Sequence, residues 1–228
     1  MKISIVIFPG TNRERDMADA CHAAFDVKAN YIWHKERDIG NPDLIVLPGG
    51  FSYGDYLRCG AIAAHSPIMS EIIRKARNGV PVFGVCNGFQ ILIESGLLPG
   101  SLLKNKTLKF ICKSVHLKYE TLSSPLTSDL KKDDIIHVPM AHGDGNYFVP
   151  PDLQKTLEDK DRIAFRYCTE NGEVTPAAND NGSTGNIAGI YNDNKTILGM
   201  MPHPENATLP HHHNQSGLDL IKALGGLM

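Results

Sequence analysis

The chain changes from a strand pattern to a helix pattern at a single cysteine, in Pro81-Val82-Phe83-Gly84-Val85-Cys86-Asn87-Gly88-Phe89-Gln90. Residues 80–85 are rich in β-branched and aromatic side chains, which is typical of a buried strand, and residues 89–94 have the apolar spacing of a helix. Glycines stand two residues before and two residues after Cys86, and glycine is the residue that permits a very tight turn. The sequence therefore predicts a nucleophile elbow with Cys86 at its apex.

Cys86 then has two interpretations. The free N–H groups and the positive dipole end of the following helix would favour a thiolate and could also stabilise an oxyanion. Alternatively, a cysteine at the end of a strand is a small buried hydrophobic residue. The two flanking glycines and the helix start favour the reactive thiol, but they do not identify its substrate.

The first half of the chain alternates strands with amphipathic helices. This order predicts an open parallel sheet covered by helices, in which ligands bind beyond the carboxyl ends of the strands. The loop of residues 48–55, which follows the third strand, should therefore face Cys86. The predicted strands are 3–8, 27–33, 43–47 and 80–85; the predicted helices carry Met17, Ala20, Cys21, Ala24 and Phe25, and then Ile68, Ile72, Ile73 and Ala76.

The second half has strand patterns with no crossover helix between them, which predicts an added antiparallel portion of the sheet. The length of the whole chain, 228 residues, suits one α/β domain, residues 1–228. The segment 179–186, rich in Asn and Gly, is predicted to be an exposed turn, and 218–224 a closing helix. The predicted strands lie in 106–112, 115–119, 135–139, 162–168, 187–191 and 196–200.

Composition restricts the partners. The formal net charge of -2 gives no basic surface for nucleic acid and no polybasic membrane segment, and no apolar run approaches the length of a membrane span. The five cysteines form no Cys-x-x-Cys pair, which fits neither a disulfide framework nor a zinc site. We expect a cytoplasmic protein whose partners are small molecules or other proteins.

A reactive thiol needs a base, and ten histidines compete for that role. His22 and His34 fall in a helix and at a strand end, where a solvated or packed imidazole is the ordinary outcome. His203 follows an apolar strand within Pro202-His203-Pro204-Glu205, and residues i and i+2 of an extended chain point to the same side. Glu205 could therefore orient the His203 ring, which predicts a Cys86-His203-Glu205 triad.

No cofactor or metal is predicted for this chain. The run His211-His212-His213 suggests a metal site, but adjacent side chains splay apart on an extended chain and no Cys or carboxylate cluster accompanies them. We expect a solvated loop there. No Gly-x4-Gly-Lys-Ser/Thr phosphate-binding loop occurs either.

Together, Gly84-x-Cys86-x-Gly88-x-Gln90 and Pro202-His203-Pro204-Glu205 resemble the motifs of the class I, triad-type glutamine amidotransferases, which have a flavodoxin-like fold. Within that family, three segments are similar to those of the glutaminase subunits that serve de novo purine biosynthesis. These are the elbow with Asn87, the loop Pro48 to Ala61 with its Phe-Ser-Tyr-Gly-Asp sequence, and His142-Gly143-Asp144-Gly145. We expect the last of these near the site mouth or a partner surface, although an ordinary polar turn is the alternative.

The resemblance implies a role for each candidate residue. Cys86 would attack the side-chain amide of L-glutamine, while His203 takes the thiol proton and later gives it to departing ammonia. The oxyanion hole would be formed by backbone N–H groups of the Gly50-Phe51 loop and of Asn87. Gln90 would help to hold the amino-acid end of the substrate.

The resemblance also implies partner chains. Ammonia would pass to a synthetase subunit that uses ATP and Mg²⁺ to convert formylglycinamide ribonucleotide to formylglycinamidine ribonucleotide, and a small subunit would complete the complex. Two departures from the family stand out. Asn206 replaces the usual Arg after His-Pro-Glu, and Asn12-Arg13-Glu14 replaces the common Asn-Cys-Asp and contains no member of the triad.

Two other classes of function remain open. A catalytically idle regulatory or scaffolding subunit would keep the fold for partner binding, but the triad residues Cys86, His203 and Glu205 are all present. Another cysteine-elbow enzyme, such as a peptidase or a chaperone-like hydrolase, would share the architecture. The sequence Asn87-Gly88-Phe89-Gln90 and the 48–55 loop argue against that alternative.

Overall fold

A computed structural model describes residues 1–226, so the last two residues of the predicted domain, 227 and 228, lie outside the described part. The strands of this part are β1 (Ile3–Ile7), β2 (Asn30–Trp33), β3 (Leu44–Leu47), β4 (Val82–Val85), β5 (Ser101–Leu103), β6 (Ile111–Tyr119), β7 (Ile135–His142), β8 (Asn146–Phe148), β9 (Ile163–Cys168), β10 (Ile187–Tyr191) and β11 (Ile197–Met200). Nine of these described strands form one sheet in the order β2-β1-β3-β4-β11-β10-β9-β6-β7, and β5 pairs with β8 in a separate two-stranded sheet.

Within residues 1–226, five α-helices accompany the sheet. Most of them bury several apolar side chains against the core; the first helix, for example, buries Met17, Ala20 and Cys21, whereas the fourth buries only Leu157. Over residues 1–226, none of the helices is long and apolar enough to cross a membrane. The helices are α1 (Glu14–Phe25), α2 (Pro67–Arg77), α3 (Asn87–Glu94), α4 (Pro151–Asp159) and α5 (Ser216–Ala223).

The sheet has a parallel and an antiparallel portion. Strands β2, β1, β3, β4 and β11 run parallel, whereas β10, β9, β6 and β7 are joined by antiparallel pairings. This confirms the predicted fold class, a largely parallel sheet flanked by helices with an antiparallel addition. Strand β4 lies between β3 and β11, where Gly84 is in register with Leu47 on one side and Gly199 on the other. The elbow therefore begins in the middle of the sheet.

The core surrounds these central strands. All residues of β3, β4 and β11 are buried, which is why they read as continuous apolar runs with no polar alternation. Phe83 on β4 and Phe89 on α3 are both fully buried. Burying one such side chain contributes about 1.5–3 kcal/mol relative to leaving it exposed. The elbow is thus held on both sides by packed core.

The structure corrects several predicted elements. Residues 106–110 form a turn, and the strand pattern predicted in two pieces is the unbroken β6. The helix α4 and the short strands β5 and β8 lie in segments where no element was predicted. The predicted exposed turn at 179–186 is wrong, because Asn181 is fully buried and its side chain donates hydrogen bonds to Gly145 O and Tyr167 Oη.

Candidate active site

Cys86 occupies a strained turn between β4 and α3. Its φ of 51° and ψ of -108° lie outside the regions that a non-glycine residue ordinarily adopts. The neighbouring glycines make this turn possible: a Cβ on Gly88 would lie 1.9 Å from Leu47 O, and one on Gly84 would lie 2.4 Å from Leu92 Cδ1. The Cys86 N–H donates to Met200 O at 2.8 Å, which ties the elbow to β11.

His203 and Glu205 reach the same place from the end of β11. The segment Pro204–Ala207 forms one short 3-10 turn, and it brings His203 Nδ1 to 2.7 Å from Glu205 Oε1. Because a carboxylate only accepts hydrogen bonds, Nδ1 carries the proton and Nε2 remains for exchange with another group. Both side chains are buried. The sequence-predicted pairing of His203 with Glu205 is therefore present in the structure.

The electrostatic environment favours the charged form of His203. Burial by itself would lower the pKa of this imidazole, but the Glu205 carboxylate and the nearby Cys86 thiolate outweigh burial and raise the pKa above its ordinary value of 6.5. An imidazolium beside Cys86 stabilises the thiolate in turn. Glu205 Oε2 has no hydrogen-bond partner among the described residues, although the carboxylate is fully buried.

Asn87 and Gln90 connect the elbow to the loops around it. Asn87 Oδ1 accepts the N–H of Ser52 at 3.1 Å, and Asn87 Nδ2 donates to Gln90 Oε1 at 2.9 Å. Gln90 Nε2 then donates to Asp144 O at 2.8 Å. These bonds place the 48–55 loop and the 142–145 loop on either side of the elbow, as expected for loops at one edge of a parallel sheet.

Among the predicted oxyanion donors, the N–H groups of Gly50 and Asn87 have no acceptor in the described part of the chain. Asn87 begins α3, where the first N–H groups lack a partner within the helix. Phe51, the other predicted oxyanion donor, gives its N–H to Gly10 O at 2.9 Å. In this geometry the Phe51 N–H is engaged, because the loop after β1 pairs with the loop after β3.

The 142–145 loop is held tightly against the site. The Cys86 thiol lies 3.8 Å from Ala141 O, and Gly145 N–H donates to Asn105 Oδ1 at 3.2 Å. His142 is also buried, and its Nδ1–H donates to the same Asn105 oxygen at 3.0 Å. Burial, followed by the positive charge of His203, lowers the pKa of His142 to about 4, so it is neutral at pH 7. The segment is therefore part of the wall of the site.

The loop after β1 also contributes, through Arg13, which the sequence did not single out as a site residue. The N–H groups of Asn12 and Arg13 both donate to Gly49 O, at 3.3 and 3.2 Å. A Cβ on Gly49 would lie 2.8 Å from His203 Cε1 and 3.3 Å from Arg13 Cγ. A signal for this was available, since loops after parallel strands share one edge of the sheet.

The other histidines have structural surroundings. His34 is buried, and its Nδ1 lies 2.9 Å from Tyr53 Oη, whereas His22 is exposed on α1. His212 Nδ1 accepts the N–H groups of Thr208 and Leu209, at 3.0 and 3.1 Å, which stabilises the loop before α5. Within residues 1–226, no group of three or more His, Cys, Asp or Glu side chains is arranged to hold a metal ion.

The structure thus places a strained cysteine elbow and a buried His-Glu pair on a mixed sheet. The family model of the CobB/CobQ-like glutamine amidotransferase domain matches residues 1–219, and the chain belongs to this family. The resemblance recognised in the motifs is thereby confirmed.

Individual relatives narrow the family further. The chain is 52% identical over 211 residues to phosphoribosylformylglycinamidine synthase subunit PurQ of Rhodospirillum rubrum, covering 92% of each chain. It is 45% identical to the PurQ of Chlorobium luteolum, covering 97% of this chain and 96% of that one. A chain in the structure of PurLQS from Thermotoga maritima superposes with a TM-score of 0.85 at 37% identity, covering 98% of this chain and 96% of that chain. Within the amidotransferases, the chain is a member of the PurQ group.

Proposed function

We propose that residues 1–228 act as one glutamine amidotransferase domain, the glutaminase subunit of phosphoribosylformylglycinamidine synthase in purine biosynthesis. The observation that carries this proposal is the convergence of the strained Cys86 elbow with the buried His203-Glu205 pair. The PurQ relatives support the pathway, because they are subunits of this synthase. The substrate of the domain is L-glutamine, as the amidotransferase family implies.

The first chemical step is acyl transfer to Cys86. The Cys86 thiolate forms a bond to the side-chain amide carbon of glutamine, and the C=O electrons move onto oxygen to give a tetrahedral oxyanion. The C–N bond then breaks, and the His203 imidazolium gives its proton to the leaving nitrogen, so that ammonia departs and a glutamyl thioester remains. Glu205 keeps the proton on Nδ1, which leaves Nε2 to exchange protons with the reacting groups.

The oxyanion is stabilised by the two unengaged N–H groups, those of Gly50 and Asn87. The Phe51 N–H joins them only if the loop releases its hydrogen bond to Gly10 O. Gln90 lies between the elbow and the 142–145 loop, where it holds the amino-acid end of the substrate. The N–H groups of Gly50 and Asn87 are fixed in place before the reaction, and such preorganisation makes electrostatic stabilisation effective.

The second step hydrolyses the thioester. Neutral His203 takes a proton from water, the resulting hydroxide adds to the thioester carbon, and the C–S bond breaks to release glutamate. The Cys86 thiolate and the His203 imidazolium are then regenerated as an ion pair. The negative charges of Glu205 and of the thiolate outweigh the cost of burying the imidazolium, which favours this resting state.

The ammonia is consumed by partner chains. A related chain occurs in the structure of PurLQS from Thermotoga maritima, in which PurQ is accompanied by PurL and PurS. We propose that this chain likewise assembles with a synthetase subunit, PurL, and a small subunit, PurS. In that complex, PurL would use ATP and Mg²⁺ to activate the amide oxygen of formylglycinamide ribonucleotide, which ammonia would then replace.

The test measures glutamate and ammonia release from glutamine by the purified chain, alone and with PurL, PurS, ATP and formylglycinamide ribonucleotide. Cys86→Ala should abolish glutamine-dependent synthesis and leave synthesis fed with free ammonium unchanged, because the thiol acts only on glutamine. Cys112→Ala is the matched control, since Cys112 is exposed on β6. Loss of ammonium-fed synthesis in Cys86→Ala, or persistence of glutamine-dependent synthesis, would contradict the assignment.

A further inference from the structure

Arg13 stands beside the triad at the start of α1. Its backbone is fixed twice, because its N–H donates to Gly49 O and its carbonyl accepts the N–H of Met17 at 3.0 Å. Its Cγ and the His203 ring approach the same point next to the Gly49 Cα. The aliphatic stem of Arg13 therefore packs across Gly49 towards the imidazole, and a larger residue at position 49 would displace one or both side chains.

The guanidinium is directed by an ion pair. Arg13 Nη1 lies 2.8 Å from Asp16 Oδ2, and the Arg13 side chain is 42% exposed. The hydrogen bond to Asp16, followed by the negative charges of Asp16, Glu205 and Cys86, raises the pKa of this guanidinium. The cation of Arg13 thus acts on two members of the triad although it contacts neither.

The triad needs such a cation. With Cys86 as thiolate, His203 as imidazolium and Glu205 as carboxylate, two negative charges and one positive charge are buried together, and burial of a surplus charge is unfavourable. Among the neighbouring titratable groups, burial raises the pKa of Cys21 to about 12 and lowers the pKa values of His142 and His212, so all three are neutral at pH 7. Asp16 adds further negative charge.

We propose that Arg13 is a positioning residue of the glutaminase site, whose stem fixes the His203 ring across Gly49 and whose charge offsets part of the surplus negative charge of the triad and Asp16. This inference rests on the proposed function of Cys86 and His203. It assigns a role to the segment Asn12-Arg13-Glu14, in which the sequence alone identified no site residue.

The sign of the effect follows from electrostatics. A nearby cation favours thiolate over thiol and neutral imidazole over imidazolium. Removing the charge should therefore move the whole pH profile of Cys86 reactivity to higher pH. For one half-exposed charge without direct contact, we expect a shift of about 0.5 pH unit at low salt, most of which disappears in about 1 M NaCl.

The experiment measures the rate at which iodoacetamide alkylates Cys86 in the full chain as a function of pH, by mass spectrometry of the Cys86 peptide. Arg13→Met keeps an unbranched stem and removes the charge. It should move the acidic limb of the profile, the range in which the alkylation rate rises with pH, to higher pH. Arg13→Lys should restore the wild-type limb. Arg15→Met is the matched control, because Arg15 is exposed two residues further along α1, and should cause no shift.

Asp16→Asn tests the role of the Arg13 charge by the opposite change in charge. It frees Arg13 from its ion pair and removes a negative charge, so the acidic limb should move to lower pH. This variant keeps the inference testable if Arg13→Met fails to fold. A limb that stays at the wild-type pH in Arg13→Met, or in Asp16→Asn, would overturn the role assigned to the Arg13 charge.

Failure of this inference is distinguishable from failure of the proposed function. In the complex with PurL and PurS, Arg13→Met should lower glutamine-dependent kcat/KM about 3-fold at pH values on the acidic limb of the profile. The rate should recover at higher pH, and ammonium-fed synthesis should stay unchanged. If Cys86→Ala abolishes glutamine use but Arg13→Met has the wild-type pH profile, only the inference is wrong. If Cys86→Ala keeps glutamine use, the proposed function itself is wrong.

Discussion

Replacing Gly88 by alanine should separate the elbow from the sheet. A Cβ at this position would lie 1.9 Å from Leu47 O and 2.6 Å from Leu47 C, whereas a carbon and a carbonyl oxygen normally stay about 3.3 Å apart. Leu47 belongs to β3, which is hydrogen-bonded to β1 on one side and to β4 on the other. Its carbonyl cannot move away alone, so α3 and β3 must separate by about 1 Å or more.

The magnitude follows from two opposing effects. Overpacking of a close-packed interior costs about 1–3 kcal/mol, and this contact falls at the severe end because the partner is backbone. Alanine regains about 1 kcal/mol relative to glycine inside a helix. We therefore expect Gly88→Ala to lower the free energy of unfolding by about 2 kcal/mol. A displacement of about 1 Å at Cys86 should also lower glutaminase activity about 100-fold.

The assay combines urea unfolding with glutamine hydrolysis in the complex with PurL and PurS. Gly143→Ala is the matched control, because a Cβ there would meet only Phe110 Cδ2 at 3.9 Å, an ordinary contact, and its stability should change by less than about 0.5 kcal/mol. If Gly88→Ala unfolds at the wild-type urea concentration and hydrolyses glutamine normally, the close approach of α3 to β3 is not what shapes the elbow.

Two further predictions concern buried polar groups. Glu205→Gln should lower glutaminase activity by at least about 100-fold. Because the pKa of His203 is raised, the stability that the His203–Glu205 pair adds is complete below about pH 6.5 and is lost as pH rises through that raised pKa. Urea unfolding of the wild type and of Glu205→Gln at several pH values should therefore show that the difference between their free energies of unfolding shrinks as pH rises. Asn181→Leu should cost about 1–3 kcal/mol of stability and raise KM for glutamine, because Tyr167 Oη and Gly145 O lose a buried donor; an unchanged urea midpoint would refute this.

Much of the fold was predictable because the pattern is local. The bounds of β1, β3, β4, β10 and β11 follow continuous apolar runs, and such runs mark strands buried on both faces. The helix α4 was missed although Pro151 stands at its first position, where proline is favoured. Only Leu157 of α4 is buried, so its apolar pattern is weak. Strands β5 and β8, three residues each, are too short to show a period.

The site was predictable where chemistry and spacing coincide. Cys86 between two glycines and His203 two residues before Glu205 were identified from the sequence, and the structure brings their segments together. The engagement of the Phe51 N–H depends on pairing between loops that are about forty residues apart, which no local pattern reveals. The same holds for Asn181. The polar residues next to it in the sequence predicted exposure, but its side chain is buried and donates a hydrogen bond to the carbonyl of Gly145.

By itself the sequence determined the strand-to-helix corner at Cys86, the alternation of strands and helices, and the pairing of His203 with Glu205, because each depends on residues close together in the chain. Only the tertiary structure decided which N–H groups remain free near Cys86, how Gln90 is held, and that Arg13 lies beside His203. These features depend on how loops from separate strands meet at one edge of the sheet, and that meeting is fixed by packing between residues distant in sequence.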